Sequence, residues 1–345
     1  MNDSRTARQG EARSTTKPID LNTAAVDHAV RLIHQVCCFA GSFDLLDEFR
    51  DRALCAAVDR RDSAALFDRL MHDFSFQGIS NEIAENYMQR HGQATWRSVR
   101  KNFAERPTCP KLKSYWHFHA CRYEKTGGTC AEPDHIASCP LPTHRLRNGH
   151  LNQIAYSLYL FIRDVAEGDL VAWIDDRLDQ VNDQSAADPL AQVRMALIEP
   201  LRNVYGVSDK VLAMALSGIL IGAADVRPKW LQVGVHLIAV DTLVHNFLHR
   251  TGILRRFEAS HPYGTGCYRA GGCAEIIARA TQQIDARAFN PTFPAIFPRF
   301  VQLAIWRYCS QQGFDVCNGN RVDDRHRCQN RHCRLYGICD RTCLK

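Results

Sequence analysis

Residues 203–223 read NVYGVSDKVLAMALSGILIGA, a turn followed by an apolar helix that carries Lys210 in its first turn. A first helix is predicted to end just before the turn, where Gly206 supplies the positive φ angle and Ser208 or Asp209 caps the second helix. This pattern predicts a helix-hairpin-helix. Such a turn exposes backbone N–H groups at a helix N-terminus, where they can bind a phosphate group without reading any base.

Amphipathic helical patterns recur on both sides of the hairpin, whereas alternating runs of β-branched residues are nearly absent. The predicted fold class is therefore all-α. The candidate N-caps are Ser63, Ser80 and Asp241, and the glycines that mark helix ends are Gly92, Gly168, Gly252 and Gly313. Residues 1–20 lack apolar periodicity and are predicted to form a disordered arm.

The composition predicts a cytoplasmic protein that binds a polyanion. No apolar run reaches the roughly 20 residues of a membrane span, and the N-terminus has no apolar signal-peptide stretch. The formal charge is +6, and residues 317–345 hold seven Lys or Arg against three Asp, a local balance of +4. A basic segment of this kind suits nucleic acid, the alternative being a solvated charged tail.

The chain contains 15 cysteines, a large number for a reducing compartment, where clustered cysteines indicate metal binding rather than disulfides. Two clusters stand out, one at 109–139 and one at 317–343. The remaining cysteines are predicted to be core or inactive thiols: Cys37, Cys38, Cys55, Cys267, Cys273 and Cys309.

A second motif follows the hairpin. The stretch IAVDTLVHNFLHRTGIL at 238–254 resembles the Val-Asp-Thr helix start of the endonuclease III (HhH-GPD) superfamily of DNA glycosylases. That family has a Gly-Val-Gly-x-Lys turn followed by a catalytic aspartate. The matching positions here are Gly206, Val207, Ser208, Lys210 and Asp241. The resemblance implies that Lys210 and Asp241 are catalytic and that the three turn residues bind DNA.

A third stretch, QQGFDVCNGNRVDDRHRCQNRHCRLYGIC, resembles the iron-sulfur loop of the same family. The resemblance implies a [4Fe-4S] cluster held by Cys317, Cys328, Cys333 and Cys339. Ten, four and five residues separate these cysteines, where the family usually has six, two and five. Four thiolates also suit tetrahedral zinc, but their place in the chain favours iron. Cys343 could replace one of the four ligands.

The likeness extends upstream. RLMHDFSFQGISNEIAENYMQRHG is similar to the early barrel helices of the family and places Gln77 where it would probe the space left by an extruded nucleotide. The alternative is an ordinary surface residue at a helix end. The implied architecture has two lobes, with DNA in the cleft between them.

The implied domain organisation has four parts. They are the arm 1–20; N-terminal helices 21–62, which join the cluster lobe; a helical barrel 63–240, with the hairpin and a cysteine-rich insertion at 106–149; and C-terminal helices and cluster loop, 241–345.

The resemblance also implies a mechanism. A glycosylase extrudes the nucleotide and stabilises cationic character on the sugar as the base leaves, a role for Asp241. A partly desolvated Lys210 would have a lowered pKa and attack C1′ to form a Schiff base, and strand cleavage would follow. The alternatives are that Asp241 is only an N-cap and that Lys210 only contacts phosphate.

Some positions depart from the family pattern. Ser208 replaces a glycine, Asp209 places negative charge beside the expected phosphate, and Leu243 stands where relatives often have histidine. Thirty residues separate Lys210 from Asp241, about a dozen more than the family's usual connection. The two residues can meet only if the insert AADVRPKWLQVGVHL, at 223–237, loops out.

The insertion carries a further set of cysteines that known relatives lack. These are Cys109, Cys121, Cys130 and Cys139, with eleven, eight and eight residues between them. They suggest a second metal site, zinc or iron-sulfur, that organises a polar loop. His117, His119 or His135 could replace one thiolate.

The predicted function is a DNA glycosylase, with or without abasic-site lyase activity, that acts on a damaged or modified base. One alternative is a base-modifying enzyme of the phage type built on the same fold. Another is a non-catalytic iron-sulfur protein that binds DNA. The expected partner is double-stranded DNA, and the protein is expected to be a monomer that associates with the nucleoid when bound.

Overall fold

The computed structural model describes most of the chain, and the described part is helical. It covers residues 23–41, 43–77, 79, 81–105, 109–124, 126–143, 149–182 and 189–345. Within these ranges the chain forms seventeen α-helices and no β-strand, and one isolated bridge joins Glu124 to Thr129. The all-α prediction is confirmed. The predicted arm at 1–20 lies outside the described residues.

The helices are numbered in chain order. The first six are α1 (Thr23–Ala40), α2 (Leu45–Phe49), α3 (Arg52–Asp59), α4 (Ser63–Phe74), α5 (Asn81–His91) and α6 (Trp96–Ala104). The next seven are α7 (Tyr115–Phe118), α8 (Gly149–Asp164), α9 (Leu170–Asn182), α10 (Pro189–Val193), α11 (Glu199–Arg202), α12 (Asp209–Gly222) and α13 (Pro228–Gly234). The last four are α14 (Thr242–Arg250), α15 (Ile253–Arg256), α16 (Cys273–Thr281) and α17 (Pro298–Cys309). None of these described helices combines the length and apolar character needed to cross a bilayer.

Side-chain caps determine where two of the helices begin. The carboxylate of Asp62 accepts a hydrogen bond from the backbone N–H three residues later, so Asp62 caps α4 and the predicted cap at Ser63 is wrong. The Ser63 hydroxyl instead accepts a hydrogen bond from Leu170 N at 2.8 Å, which ties α4 to α9. The predicted cap at Asp241 is confirmed. Ser80 lies outside the described residues.

One hydrophobic core forms around α8. Residues 151–162 of this helix are all buried, so other elements surround it on every side. They are α3, α4, α6, α9, α11, α12 and α13, together with the cysteine-rich segment 109–143. The Ser157 hydroxyl of α8 accepts a hydrogen bond from Tyr205 N at 3.0 Å. This bond links the central helix to the hairpin turn.

A second hydrophobic core contains α1 and α14–α17. Helix α1 packs against α16 and α17, and Leu335 of the C-terminal cysteine segment joins the same cluster. The first and last parts of the chain therefore share one core. The predicted domain boundaries at residues 62 and 240 stay predictions.

The insert between Lys210 and Asp241 forms helix α13, which folds back on α12. A Cβ atom on Gly234 would lie 2.9 Å from the Leu220 Cβ, so only glycine permits this approach. Trp230 is buried and donates its indole N–H to Asp175 of α9 at 2.6 Å. With α13 held in this way, Ala239 and Asp241, which follow the insert, line the same cavity as Lys210 of α12.

Candidate active site and metal centres

A cavity of about 580 Å³ opens where α12, α14 and α17 meet the segment that follows α4. Lys210, in the first turn of α12, and Asp241, the N-cap of α14, both line it. Small-molecule sites in proteins typically occupy about 300–1,000 Å³. The structure thus brings the two predicted catalytic residues into one cavity of suitable size.

Asp241 is held in a fixed position by its own helix. Its carboxylate accepts a hydrogen bond from Val244 N at 2.9 Å, and the side chain of Trp306 also hydrogen-bonds it. Burial raises the pKa of Asp241, while the Val244 hydrogen bond and the positive charge of Lys210 act in the opposite direction. The site therefore combines a desolvated carboxylate with a nearby cation.

Lys210 is half-buried at the edge of the same cavity. Within the described part of the chain it forms no salt bridge, although its charge acts on Asp241. Its amine is therefore available to a ligand in the cavity.

Two residues of α17 that sequence reasoning missed line this cavity as well. Arg299 and Gln302 are both buried, and Arg299 donates a hydrogen bond from Nη1 to the Gln302 side-chain oxygen. The Arg299 Nε has no hydrogen-bond partner among the described residues. Burial lowers the pKa of Arg299 to about 10, and the negative charge of Asp241 opposes this shift. The signal in the sequence is an arginine and a glutamine, three residues apart, in the mainly apolar first half of a helix.

The hairpin turn has the predicted backbone geometry. Gly206 has a φ angle of 74°, in the left-handed region that favours glycine. Val207 is buried in the first core, so only its backbone can face a ligand. Ser208 is exposed at the N-cap position of α12, and its side chain makes no capping hydrogen bond.

The negative charge of Asp209 beside this turn is balanced by arginines. Arg202 donates two hydrogen bonds to the Asp209 carboxylate, both at 2.7 Å, and Arg194 lies 3.5 Å from it. Asp209, which departs from the family pattern, therefore does not leave an unpaired negative charge at the hairpin.

Gln77 lies beside the hairpin. Its side-chain N–H donates a hydrogen bond to the Gly206 carbonyl at 3.1 Å. Its neighbours Phe76 and Ile79 line the cavity. The structure therefore bonds Gln77 to the hairpin turn, in a segment whose residues Phe76 and Ile79 line the cavity.

The four cysteines of the predicted cluster loop surround a second, small cavity. They are Cys317, Cys328, Cys333 and Cys339. The Tyr308 hydroxyl lies 3.1 Å from Cys333 Sγ, and the Arg341 N–H donates to Cys339 Sγ at 3.3 Å. Cys343, the alternative ligand, is exposed and does not line this cavity.

Arg250 lines the same small cavity and is almost fully buried. One of its terminal nitrogens pairs with Asp324, but the other, Nη1, has no hydrogen-bond partner among the described residues. A buried, unpaired cationic donor beside four thiols favours an anionic group at this position. A thiolate-ligated iron-sulfur cluster is such a group.

The four cysteines of the insertion also surround a single cavity, although eleven, eight and eight residues separate them. Each thiol accepts a hydrogen bond from the backbone N–H two residues further along. The pairs are Cys109 with Lys111, Cys121 with Tyr123, Cys130 with Glu132, and Cys139 with Leu141. Burial raises the pKa of Cys109, Cys121 and Cys139, and these backbone hydrogen bonds oppose that rise, in the direction of the thiolate form that binds metal.

Among the histidines considered as substitute ligands in the insertion, His135 lies close to Cys109. The ligand atoms of His135, Glu132 and Cys109 are all within 4.8 Å of one another. His117 instead bonds Ser114 at 2.6 Å through Nδ1.

A third group of potential ligands was not predicted. Two thiols assigned above to the core or to no role, Cys267 and Cys273, lie with the buried His245 and the half-buried His261 in a group whose ligand atoms are all within 4.8 Å of one another. These four side chains could bind a metal ion. The signal in the sequence is the Gly-, His- and Cys-rich segment HPYGTGCYRAGGC, at 261–273.

Comparisons with known proteins find no match for this chain among family models, curated proteins or solved structures.

Proposed function

We propose that the protein is a DNA glycosylase of the helix-hairpin-helix type with abasic-site lyase activity. The observation that carries this proposal is the shared cavity of Lys210 and Asp241, which lies directly beside the hairpin turn. A nucleophilic amine and a carboxylate at one cavity are the two groups that this chemistry requires. The resemblance of the hairpin and of the segment after it supports the same conclusion.

Double-stranded DNA is the proposed partner. The exposed turn at Gly206 and Ser208 presents backbone N–H groups at the start of α12, where the helix dipole favours a phosphate. An extruded nucleotide would then enter the cavity, whose amide side chains can hydrogen-bond the edge of a base. These amides are Gln302, Gln311, Gln312, Asn318 and Asn320.

The chemistry proceeds in two stages. The neutral amine of Lys210 attacks C1′, the bond from C1′ to the base breaks, and the base leaves with the bonding electrons and takes up a proton. The ionised carboxylate of Asp241 stabilises positive charge on the sugar during this step. The nitrogen then loses a proton, the C1′–O4′ bond of the sugar ring breaks, and O4′ takes up a proton, which leaves an iminium between C1′ and Lys210. The iminium loses a C2′ proton, and the bond from C3′ to its phosphate oxygen breaks, so that the phosphate leaves with the bonding electrons.

The proposed cofactor is a [4Fe-4S] cluster at the C-terminal cysteines, where it would stabilise the folded segment. The converging thiols and the unpaired Arg250 nitrogen fit this group. A second metal, zinc or iron-sulfur, is proposed for the four cysteines of the insertion. No step of the reaction depends on either group.

Replacing Cys328 and Cys333 together by serine is expected to remove about four iron atoms per chain and the visible thiolate-to-iron absorption. Both cysteines line the small cavity, whereas Cys343 does not. The Cys343→Ser variant is therefore expected to keep its iron. Iron analysis and absorption spectra of the purified proteins check this. A wild-type protein that carries zinc and no iron would contradict the cluster assignment.

Three exposed arginines of the C-terminal segment are expected to contact DNA phosphates. Arg325, Arg327 and Arg331 form no salt bridge within the described residues. Replacing all three by alanine should lower affinity for every duplex sequence alike and reduce the slope of log affinity against log salt by up to about 2.7. Fluorescence anisotropy at several salt concentrations measures the slope.

The control for this experiment removes exposed charge elsewhere. The Arg52→Ala, Arg60→Ala double variant alters two exposed residues near the ends of α3. It should leave the salt slope unchanged. An equal loss of slope in both variants would show that net charge, and not this segment, governs binding.

The proposal itself is tested by incubating the protein with duplexes that each carry one altered base and analysing the products by mass spectrometry. The expected products are a free base and a cleaved strand. A product in which the base is changed but stays attached to the sugar would show that the protein is a base-modifying enzyme and not a glycosylase. DNA binding without any product on the whole panel would support the non-catalytic alternative.

A further inference from the structure

We propose that His245, His261, Cys267 and Cys273 form a tetrahedral zinc site that anchors the loop 259–272 to helix α14. The four residues come from three places in the fold. His245 is in α14, His261 and Cys267 are in the loop, and Cys273 is the first residue of α16. The proposal does not depend on the proposed function.

The distances between the ligand atoms fit a single tetrahedral ion. His245 Nδ1 lies 3.4 Å from Cys273 Sγ and 3.5 Å from Cys267 Sγ, and His261 Nε2 lies 3.5 Å from Cys273 Sγ. Zinc bonds of about 2.0–2.1 Å to nitrogen and about 2.3 Å to sulfur place N and S about 3.6 Å apart in a tetrahedron. The three observed separations therefore match the edges of a zinc coordination sphere.

A second interaction orients one of the histidines. The Nδ1 of His261 lies 2.6 Å from the Ala259 carbonyl oxygen, so it carries the proton and donates it there. This bond fixes the tautomer that leaves Nε2 with a free lone pair towards Cys273. Metal-binding histidines in proteins are generally held by such a bond from the second ring nitrogen.

The types of the four ligands and the short distances between their ligand atoms favour zinc over other metal ions and over an iron-sulfur cluster. Two thiolates and two imidazoles disfavour magnesium and calcium, which prefer oxygen ligands. A two-iron cluster with two cysteines and two histidines would place the two pairs on different irons. Here each imidazole approaches a thiol of the same compact group, and all four atoms lie within 4.8 Å. One ion with four protein ligands also leaves no open position, as in structural zinc sites.

The site lies one turn from Asp241. His245 follows the N-cap of α14 by four residues. On the other side, Tyr268, next to Cys267, accepts a hydrogen bond from Val240 N at 2.7 Å and donates one to Val240 O at 3.2 Å. An ion that ties Cys267 to His245 would therefore hold the backbone on both sides of Asp241.

The test is metal analysis of the full-length protein. Replacing Cys267 and Cys273 together by serine is expected to remove about one zinc ion per chain and to leave the iron content unchanged. The control is Cys37→Ser, which alters a buried cysteine outside all three groups and should keep the zinc. Zinc content equal to wild type in the double variant would overturn the proposal.

A second pair of variants keeps the test valid if the double variant does not fold. His261 is only half-buried, so its replacement disturbs the core less. His261→Ala should lose the zinc, and His261→Cys, which restores a fourth ligand, should retain it. In wild-type protein the zinc X-ray absorption spectrum should show nitrogen and sulfur ligands. A shell of sulfur alone would place the ion at the insertion cysteines and overturn this assignment.

Discussion

Replacing Asp241 by asparagine is expected to slow base release by about 10²–10³-fold, the usual effect of removing one electrostatic contact from a transition state. The substitution removes the negative charge that faces Lys210 in the cavity. It keeps the fold, because asparagine caps a helix about as well as aspartate and Val244 N can still donate to its side-chain oxygen. Single-turnover assays on a duplex substrate measure the rate.

The same variant is expected to be as stable as the wild type or more stable. Burial raises the pKa of Asp241 in the folded protein, so folding favours the protonated form. The stability that this proton contributes is present at low pH and is lost as the pH rises through the raised pKa. Asparagine is neutral at every pH and removes this dependence. Thermal melts of both proteins over a pH series check it.

The rate of base release should depend on pH in the opposite direction from the stability. Base release requires the carboxylate, so the wild-type rate falls as the pH drops through the raised pKa of Asp241. The residual rate of the Asp241→Asn variant should lack this acidic limb. As a control, Asp225→Asn alters an exposed carboxylate and should keep the wild-type profile. An Asp241→Asn protein with the wild-type rate would rule out a role for this carboxylate.

The parts of the fold that depend on local sequence could be predicted. Gly206 marks the hairpin because few other residues adopt its φ angle, and Asp241 marks a helix start because its side chain can bond the N–H three residues later. The predicted N-cap of α4 is wrong by one residue. Asp62 and Ser63 are both good N-caps, and the long-range bond from Leu170 N to the Ser63 hydroxyl decides between them.

The assembly of the cavity depends on contacts that are far apart in the sequence. Lys210 and Asp241 line the same cavity because α13 folds back on α12, and this needs the close approach of Gly234 to Leu220 and the bond from Trp230 to Asp175. No local sequence pattern predicts these contacts. Sequence alone could therefore state only the condition that the insert must loop out.

The group of His245, His261, Cys267 and Cys273 could not be predicted from the sequence for a related reason. Fifteen, five and five residues lie between its ligands, and the first ligand is on a helix whose sequence pattern is typical of a core helix. Short, regular spacings such as two cysteines three residues apart arise when one turn supplies two ligands. Here α14, a loop and α16 each supply ligands, so the group becomes visible only once the three are packed together.

The Lys210→Ala variant is expected to form no covalent adduct with an abasic duplex under borohydride reduction, whereas the wild type forms one. Only a primary amine yields a Schiff base that borohydride can reduce, and Lys210 is the lysine that lines the cavity with Asp241. Alanine favours the helix, so α12 should persist. The adduct is measured by gel electrophoresis of labelled DNA.

Two further variants separate nucleophilic attack from phosphate binding. Lys210→Arg keeps the positive charge but has a guanidinium that stays protonated, so it should bind the duplex like the wild type and still form no adduct. Lys229→Ala removes an exposed lysine of α13 that pairs with Asp179, and it should form the adduct normally. If Lys210→Arg formed the adduct as well as the wild type, another amine would be the nucleophile. If Lys210→Ala lost DNA affinity and the wild type formed no adduct, Lys210 would serve only to hold phosphate.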